Sequence, residues 1–361
     1  MRTAEDAGRT TLTRAGEWLL TSGIRDPTGR VARYYLSHDL RYAPISTEIT
    51  GYAASALIYM YKESGDERYI SAAKAAAFSL VQAWDARCHT MPFELGAGSR
   101  PYSYFFDTGI VVRGLLATWR ACGAPELLST AILCGESMAR DFFDGQLFGP
   151  ILALPKKSLS AYNPLQWSQG PGCYQLKAAL GWYELWEIRK DQQTLELYRL
   201  MLRSCMANHV DFLPGTKDDQ KVVDRLHAYL YFLEGLLPVV ADEEYADAVR
   251  CGVESVSRYV EQFANQFVRA DVLAQLLRMR IYADRYRVLP IDPESAEREA
   301  STLRSFESRD KDHRLAGGFW FGKRAGGIAP YINPWVTSFA VQALSMWDNP
   351  TGLRSDWREL I

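Results

Sequence analysis

Residues 46–84 read STEITGYAASALIYMYKESGDERYISAAKAAAFSLVQAW, and this stretch decides the fold. After the polar opening Ser46-Thr47-Glu48, small and apolar residues recur every three or four positions up to Tyr61, which is the spacing of one face of an α-helix. Gly65-Asp66-Glu67 interrupts the pattern, and an alanine-rich stretch over 69–84 resumes it. A helix, a tight polar turn and a second helix make an antiparallel helical hairpin.

The same hairpin pattern returns along the rest of the chain. Ascending helices are predicted to start near Phe106, Gly172, Asp224, Arg269 and Pro334, and returning helices are predicted over 126–142, 192–210, 243–263 and 293–306. The ascending helix after Pro334 has no returning partner before the chain ends. An isolated amphipathic helix over 11–20 precedes the first hairpin and can fill that outer position.

This count predicts an all-α fold, an (α/α)6 toroid of six helical hairpins in which the N-terminal helix closes the ring with the C-terminal helix. The alternative is an open solenoid of stacked helix pairs, whose repeats are tighter and more regular, at roughly 34–47 residues. The wider and irregular spacing here favours closure. Since no linker or low-complexity segment divides the chain, we expect one domain over residues 1–361.

Charge and composition exclude several classes of function. A net charge of −2 and a pI near 6.3 leave no basic field for nucleic acid, so no nucleic-acid partner is expected. No apolar run approaches the ~20 residues of a membrane helix, so no membrane insertion is expected. The N-terminus lacks the apolar core of a secretory signal, and the six cysteines form no CxxC pair. These features predict a cytoplasmic protein with free thiols.

No motif points to a metal or a cofactor. No His/Cys cluster has the spacing of a zinc site, and Asp310-Lys311-Asp312-His313 lies in a charged stretch that is expected to be solvated. Gly317-Gly318 and Gly326-Gly327 lack the preceding strand and the following Lys-Ser/Thr of a phosphate-binding loop. We therefore expect neither a metal nor a cofactor.

Polar and aromatic residues gather where the ascending helices start. In a ring of parallel inner helices these starts converge on one mouth, and glycine-rich aromatic loops lead into it. Capping of free backbone N–H groups would account for Thr47, Asp107 and Asn333, but not for the aromatic and cationic residues at the same level. The candidate site residues are Glu48, Tyr52, Tyr104, Asp107, Tyr162, Trp167, Tyr174, Arg225, His227, Trp320, Asn333 and Trp335.

Flat aromatic rings combined with carboxylates, amides and arginine suit a sugar, because a sugar ring presents apolar C–H faces and hydroxyl edges. The alternative is that the aromatic residues only pack beneath long loops. The sequence favours an oligosaccharide or polysaccharide as the binding partner.

Three segments carry a resemblance to known proteins. Ser46-Thr47-Glu48-Ile49-Thr50-Gly51-Tyr52, Gly65-Asp66-Glu67-Arg68-Tyr69 and Phe106-Asp107-Thr108-Gly109 resemble the six-hairpin glycosidase superfamily, which includes unsaturated glucuronyl hydrolases. Several polysaccharide lyases and sugar epimerases share this toroid. Tyr331-Ile332-Asn333-Pro334-Trp335-Val336-Thr337 is also similar to the terminal aromatic segment of uronyl 5-epimerases. The resemblance spans most of the chain and implies the fold and a carbohydrate substrate, but no single reaction.

Two departures from these families bear on the chemistry. Asp107 lies at a helix start as the acid/base aspartate of the glucuronyl hydrolases does, but its surroundings differ. The N-acylglucosamine and cellobiose epimerases use several histidines in the cleft. This chain has five histidines in all, and only His227 lies at a predicted helix start, which disfavours that group.

Two reactions and one binding role are consistent with these residues. Glycoside hydrolysis needs a pair of carboxyl groups, and Glu48 and Asp107 open successive inner helices. Packed helices lie ~8–10 Å apart, which is compatible with the ~6.5–9.5 Å between the carboxyl groups of an inverting pair. An intracellular glycosidase acting on an oligosaccharide, with uronic acid as one recognised unit, is the leading hypothesis.

The runner-up is a lyase or 5-epimerase of uronate-containing polysaccharide. It would use His227 or Tyr174 for proton transfer, with Arg225 neutralising the sugar acid. For His227, a hydrogen-bonded histidine at a helix start is the structural alternative. A third possibility is a non-catalytic toroid that binds glycans or protein.

Overall fold

The computed structural model describes residues 4–96, 98–161, 163, 166–213, 219–350 and 356–361. These residues are predominantly helical, as predicted, and the helices alternate with short connecting segments. They contain twelve α-helices: α1 (Ala4–Thr21), α2 (Thr47–Ser64), α3 (Glu67–Ala83), α4 (Phe105–Cys122), α5 (Pro125–Asp141), α6 (Leu176–Arg189), α7 (Gln192–Phe212), α8 (Asp219–Gly235), α9 (Glu243–Gln262), α10 (Ala270–Arg285), α11 (Pro293–Arg304) and α12 (Pro334–Asp348).

Short strands connect the helices, and each described strand has two or three residues. They are β1 (Tyr35–Leu36), β2 (Arg41–Tyr42), β3 (Ile45–Ser46), β4 (Glu94–Leu95), β5 (Tyr102–Tyr104), β6 (Ile151–Ala153), β7 (Ser158–Leu159), β8 (Phe267–Arg269), β9 (Gly322–Arg324), β10 (Gly327–Ile328) and β11 (Tyr331–Ile332). All pairings are antiparallel, in the orders β3-β4, β5-β6-β7, β8-β9-β10 and β2-β1-β11.

The chain divides into two compact units. The first, here called the α2–α7 unit, consists of Asp26–Ala32 and Pro44–Gly215. In it, three hairpins form from α2 with α3, α4 with α5 and α6 with α7, and α4 packs between α2 and α6. Helices α2, α4 and α6 are the inner helices of this unit.

The second, the α8–α12 unit, consists of Met1–Arg25, Arg33–Ala43 and Thr216–Ile361. Here α8 pairs with α9 and α10 with α11, while α10 also packs between α8 and α12. Helix α1 packs against α12, which confirms the partner predicted for the sixth ascending helix. The expectation of a single domain stays a prediction.

Helix α8 departs from the sequence prediction. It begins at Asp219 and not near Asp224, because the buried residues Val222 and Val223 extend its apolar face toward the N-terminus. Arg225 therefore lies more than one turn, and His227 more than two turns, inside the helix. The expectation that these two residues mark a helix start is wrong.

A backbone hydrogen bond recurs at the start of three inner helices. The N–H of the first helical residue donates a hydrogen bond to a carbonyl in a later loop. The pairs are Thr47 to Phe93 (3.1 Å), Phe105 to Pro150 (2.9 Å) and Ala270 to Phe321 (2.9 Å). In each case a strand leads into the helix, and this strand pairs with a strand beside the accepting carbonyl. The loops thus satisfy backbone donors that helix starts otherwise leave without an intrahelical partner.

Glycine allows the inner helices of the α2–α7 unit to pack backbone against backbone. A Cβ atom added at Gly109 of α4 would lie 2.5 Å from the carbonyl oxygen of Ala178 in α6. A Cβ atom at Gly51 of α2 would lie 2.9 Å from the carbonyl oxygen of Ile110 in α4. A side chain at either position would push two inner helices apart.

We expect Gly109→Ala to destabilise the protein by about 1–3 kcal/mol, since overpacking of a rigid backbone contact outweighs the helix propensity that alanine adds. Urea unfolding measures the change. Gly326→Ala is the matched control, because a Cβ atom there meets no atom within 4 Å. Equal unfolding midpoints for the two variants would contradict the packing argument.

Candidate functional site

Phe321 joins the starts of α10 and α12 in the α8–α12 unit. Its carbonyl accepts from Ala270, the first residue of α10, and its N–H donates to the carbonyl of Tyr331 (3.2 Å), shortly before α12. The Phe321 ring stacks on Tyr331 at 5.1 Å and lies 6.3 Å from the ring of Trp335. The guanidinium of Arg269 sits 4.9 Å from the Phe321 ring centroid. We call Arg269, Phe321, Tyr331 and Trp335 the Phe321 cluster; its three aromatic residues are half-buried.

Arg269 and Asp271 form a buried, two-pronged ion pair in this cluster. Arg269 donates from Nε to Oδ1 (3.0 Å) and from Nη2 to Oδ2 (2.6 Å) of Asp271. Burial alone would raise the pKa of Asp271, but the Arg269 guanidinium outweighs burial and holds that pKa below its usual range. Asp271 is therefore ionised, and the charge of Arg269 is already paired.

His227 of α8 is an uncharged imidazole beside this ion pair. Burial, and after it the positive charge of Arg269, lower the pKa of His227 to about 3; Asp271 raises it by less. The backbone carbonyl of His227 accepts from Nε2 of Gln275 in α10 (3.4 Å). The imidazole is therefore unprotonated near neutral pH, the form in which a histidine acts as a base, although so low a pKa makes it a weak base.

Below His227, the three inner helices of this unit are joined by buried polar side chains. Arg278 of α10 donates to Glu234 of α8 (2.6 Å) and to Gln342 of α12 (2.9 Å). Its guanidinium also lies 4.2 Å from the ring centroid of Phe339 in α12. Glu234, Arg278 and Gln342 are fully buried, so breaking this network would leave uncompensated charge in the interior. The network fixes α8, α10 and α12 beneath the Phe321 cluster.

Asn333 occupies the N-cap position of α12, and its side chain does not cap the helix. The side chain is fully buried. Among the residues that the structure describes, neither Oδ1 nor Nδ2 of Asn333 has a hydrogen-bond partner. Capping, the structural explanation for Asn333, is therefore wrong.

In the α2–α7 unit, Phe93 joins the starts of α2 and α4 in the same way. The carbonyl of Phe93 accepts from the N–H of Thr47. The Phe93 ring packs edge-to-face with the ring of Tyr104, which precedes α4, at a centroid distance of 4.6 Å. Glu48 and Asp107 thus lie in the first turns of two adjacent helices at the same end, and both are half-buried. The hydroxyl of Ser46 caps α2, whereas Asp107 lies in the third position of α4 and is not its N-cap.

Tyr174 lies beside the start of α4, with its ring centroid 6.0 Å from that of Phe106. The rings of Trp167 and Tyr174 pack edge-to-face at a centroid distance of 5.1 Å. The Tyr174 hydroxyl donates to the carbonyl of Gly170 (3.1 Å). Burial has the largest effect on the pKa of Tyr174 and raises it, and electrostatic interactions with Cys173 and Asp107 raise it further. A buried phenol that already donates to a backbone carbonyl is poorly suited to transfer protons.

The remaining predicted residues lie in varied environments. Tyr52 is buried, with the ammonium of the equally buried Lys177 lying 5.3 Å from its ring centroid. Trp320 is half-buried and forms a β-bridge with Ile332, next to the Phe321 cluster in sequence. Arg225 is half-buried on α8. Tyr162 lies outside the described residues.

The list of candidate residues from sequence omitted the centre of this arrangement. Arg269, Asp271, Phe321 and Tyr331 are absent from that list. The one available signal was the spacing of Arg269 and Asp271 across a strand end, which lets a guanidinium reach back to the carboxylate. The pairing of β8 with β9 was not readable from such short strands.

Within the described ranges, no cluster of three or more His, Cys, Asp or Glu side chains could hold a metal ion. None of the helices described here combines the length and apolar character needed to cross a membrane.

Comparison with known proteins shows a similarity of fold. No protein-family model matches the chain, and no curated protein matches it in sequence. Its structure is similar to that of a sugar epimerase from a ruminal bacterium, with a TM-score of 0.71 and 13% identity over 97% of this chain and 100% of that chain. It is also similar to a D-mannose isomerase (TM-score 0.70, 9% identity, 97% and 99% covered).

A cellobiose 2-epimerase from Bacillus thermoamylovorans B4167 gives a TM-score of 0.69, with 12% identity over 94% of this chain and 98% of that chain. The chain thus has the predicted six-hairpin glycosidase-like (α/α)6 toroid fold. The likeness extends to a cellobiose epimerase, a class that the small number of histidines disfavoured.

The imidazole of His227 is expected to remain neutral from about pH 8 down to about pH 4, whereas a free histidine titrates near 6.5. Between these two pKa values the unfolded chain binds the additional proton, so His227 makes stability fall as pH falls through this window. Proton NMR measures the titration, with the His227 signal assigned by its absence in His227→Gln. The double variant Arg269→Gln/Asp271→Asn should raise the pKa of His227, because Arg269 lowers that pKa more than Asp271 raises it. A midpoint near 6.5 in the wild-type protein would contradict this account.

Proposed function

We propose that this chain is a carbohydrate-active enzyme that moves a proton on a sugar carbon next to a carbonyl, as a sugar isomerase or epimerase does. The observation that carries the proposal is the neutral imidazole of His227 beside the Arg269–Asp271 ion pair, next to a wall of aromatic rings. His227 is the proton-transfer group that the sequence suggested for the runner-up reaction. The fold adds support, because sugar epimerases and an isomerase share it along their full length.

The Phe321 cluster supplies the surface for the sugar. Tyr331 and Trp335 keep part of their rings exposed, and such rings bind the C–H face of a sugar while nearby polar groups bind its hydroxyls. The ion pair leaves no unpaired charge at Arg269. A neutral sugar is therefore preferred here over a uronate, for which Arg225 was suggested from sequence.

The chemical step follows from the charges around His227. Its imidazole takes the proton from the carbon beside the carbonyl of an open-chain sugar, and the electron pair moves to the carbonyl oxygen to give an enediolate. Since Arg269 affects His227 more strongly than Asp271 does, the paired Arg269 guanidinium partly offsets the developing negative charge. If the enediolate rotates so that its opposite face meets His227, return of the proton to C2 gives the epimer. Return of the proton to C1, with transfer of the O2 hydroxyl proton to O1, gives the ketose isomer.

The test is exchange of a carbon-bound proton in deuterated water. We expect the protein to exchange the C2 proton of at least one of D-mannose, D-glucose and cellobiose, followed by NMR. His227→Gln should slow the exchange by ~10²-fold or more, which is typical of a lost general base. His209→Gln is the control, because His209 of α7 is also half-buried.

Exchange at the wild-type rate in His227→Gln would overturn the assignment of His227. A product with ultraviolet absorbance formed from a uronate polymer would indicate a lyase instead. Saturable sugar binding without any exchange or cleavage would leave the non-catalytic binding role.

A second candidate function is glycoside hydrolysis, the leading hypothesis from sequence. It is favoured by the joining of the α2 and α4 starts through Phe93, which brings Glu48 and Asp107 to the same end of adjacent helices. Because the N–H of Phe105 is bound by Pro150 and Tyr104 is the N-cap of α4, Asp107 is not needed as a cap. One carboxyl group would protonate the leaving oxygen, and the other would activate the attacking water.

If hydrolysis is the reaction, Asp107→Asn and Glu48→Gln should each lower the release of reducing ends from cello-oligosaccharides or a uronate oligosaccharide by ~10²–10⁴-fold. Melting temperatures should change little, since neither residue is an N-cap. Ser46→Ala, which removes a real cap, is the control: it should lower stability by about 1 kcal/mol and preserve the rate. Cleavage at the wild-type rate by Asp107→Asn, with normal melting, would exclude this mechanism.

A further inference from the structure

We infer that Asn333 is the specificity residue of the Phe321 cluster and that its amide binds two adjacent hydroxyl groups of the sugar. This inference rests on the proposed sugar-binding function and deepens it. It assigns a role to a buried amide that the fold itself does not use.

A matched residue shows how unusual Asn333 is. Asp292 and Asn333 are both N-caps in extended conformation, and each is followed by proline at the first helical position, in α11 and α12 respectively. The side chain of Asp292 accepts from the N–H groups of Glu294 (3.1 Å) and Ser295 (3.3 Å). The side chain of Asn333 makes no such bond, although Asn and Asp are about equally good caps.

The isolation of the Asn333 amide is unfavourable for folding. Its side chain is fully buried, and within the described part of the chain neither amide atom has a partner. A buried polar group without a hydrogen bond lowers stability, and native proteins keep few of them. A leucine of similar shape would avoid this loss, so the amide is best explained by a ligand.

The chemistry of the amide identifies the ligand group. Nδ2 donates and Oδ1 accepts, so the complement is a pair of groups of which one accepts and one donates. Two neighbouring hydroxyls of a sugar provide this pair. A carboxylate or phosphate only accepts, and it would be repelled by Oδ1.

The neighbours of Asn333 fit the same ligand. Tyr331 and Trp335 flank it in sequence, and both belong to the half-buried aromatic wall. A sugar whose face lies on these rings directs its hydroxyl edge toward the start of α12. Because the amide itself is fully buried, binding requires side chains around it to move and admit the hydroxyls.

The experiment compares Asn333→Leu with Asp292→Leu in the full chain. We expect Asn333→Leu to raise the melting temperature and to weaken binding of D-mannose, D-glucose or cellobiose by ~10-fold or more in calorimetry, because hydrogen bonds to sugar hydroxyls are lost. Asp292→Leu should lower the melting temperature and leave sugar affinity unchanged. 2-Deoxy-D-glucose and 3-deoxy-D-glucose should bind more weakly than D-glucose to the wild type, and this difference should shrink in Asn333→Leu.

Each contrary result has a distinct meaning. A lower melting temperature for Asn333→Leu would show that the amide stabilises the fold, which would overturn the inference. Equal sugar affinity in the wild type and Asn333→Leu would overturn it while leaving the proposed function intact. If the wild type bound none of the sugars, the proposed function would fail, and this inference with it.

Discussion

The hydrogen bond between the first N–H of an inner helix and a carbonyl in a later loop is the constraint on which the candidate sites depend. It fixes where α2, α4 and α10 begin, and it ties each start to the loop that leads toward the next inner helix. The backbone thereby supplies part of what capping side chains usually provide. The carboxylates in these first turns are then not needed as helix caps; they are Glu48, Asp107 and Asp271. Helix α12 differs, because Pro334 has no N–H to donate and Asn333 does not cap.

The buried polar layer below the Phe321 cluster acts as the second constraint. Glu234, Arg278 and Gln342 come from three different helices, and their hydrogen bonds are satisfied only when those helices keep one mutual position. Burying an ion pair contributes little net stability, but removing one partner is strongly destabilising. The network therefore favours one arrangement of α8, α10 and α12, and with it a fixed setting for His227 and Trp335.

Much of the fold was predictable because helical periodicity is a local signal. The α2–α3 hairpin, the turn at Gly65 and the pairing of α1 with α12 all followed from apolar spacing and one unpaired helix. The start of α8 did not, because a polar Asp-Arg pair at 224–225 suggested a boundary within a continuous helix. Strands of two or three residues carry no readable alternation, so the tie between Phe321 and α10 could not be predicted. The ion pair of Arg269 with Asp271 depends on that tie and was missed as well.

Only part of the candidate site was predicted from the sequence. Glu48 and Trp335 lie in the first turns of α2 and α12, as predicted, whereas His227 lies deeper in its helix than expected. Asn333 was singled out, but the capping explanation fails because its amide makes no capping hydrogen bond. Side-chain direction depends on tertiary contacts, so it could not follow from position in the sequence alone.

The most direct test of the account is a crystal structure with a bound neutral sugar, D-mannose or cellobiose. The account predicts a sugar ring in contact with Tyr331 or Trp335, two hydroxyls hydrogen-bonded to the Asn333 amide, and a carbon-bound proton within reach of the His227 imidazole. A sugar bound beside Glu48 and Asp107, with no contact to the Phe321 cluster, would contradict it.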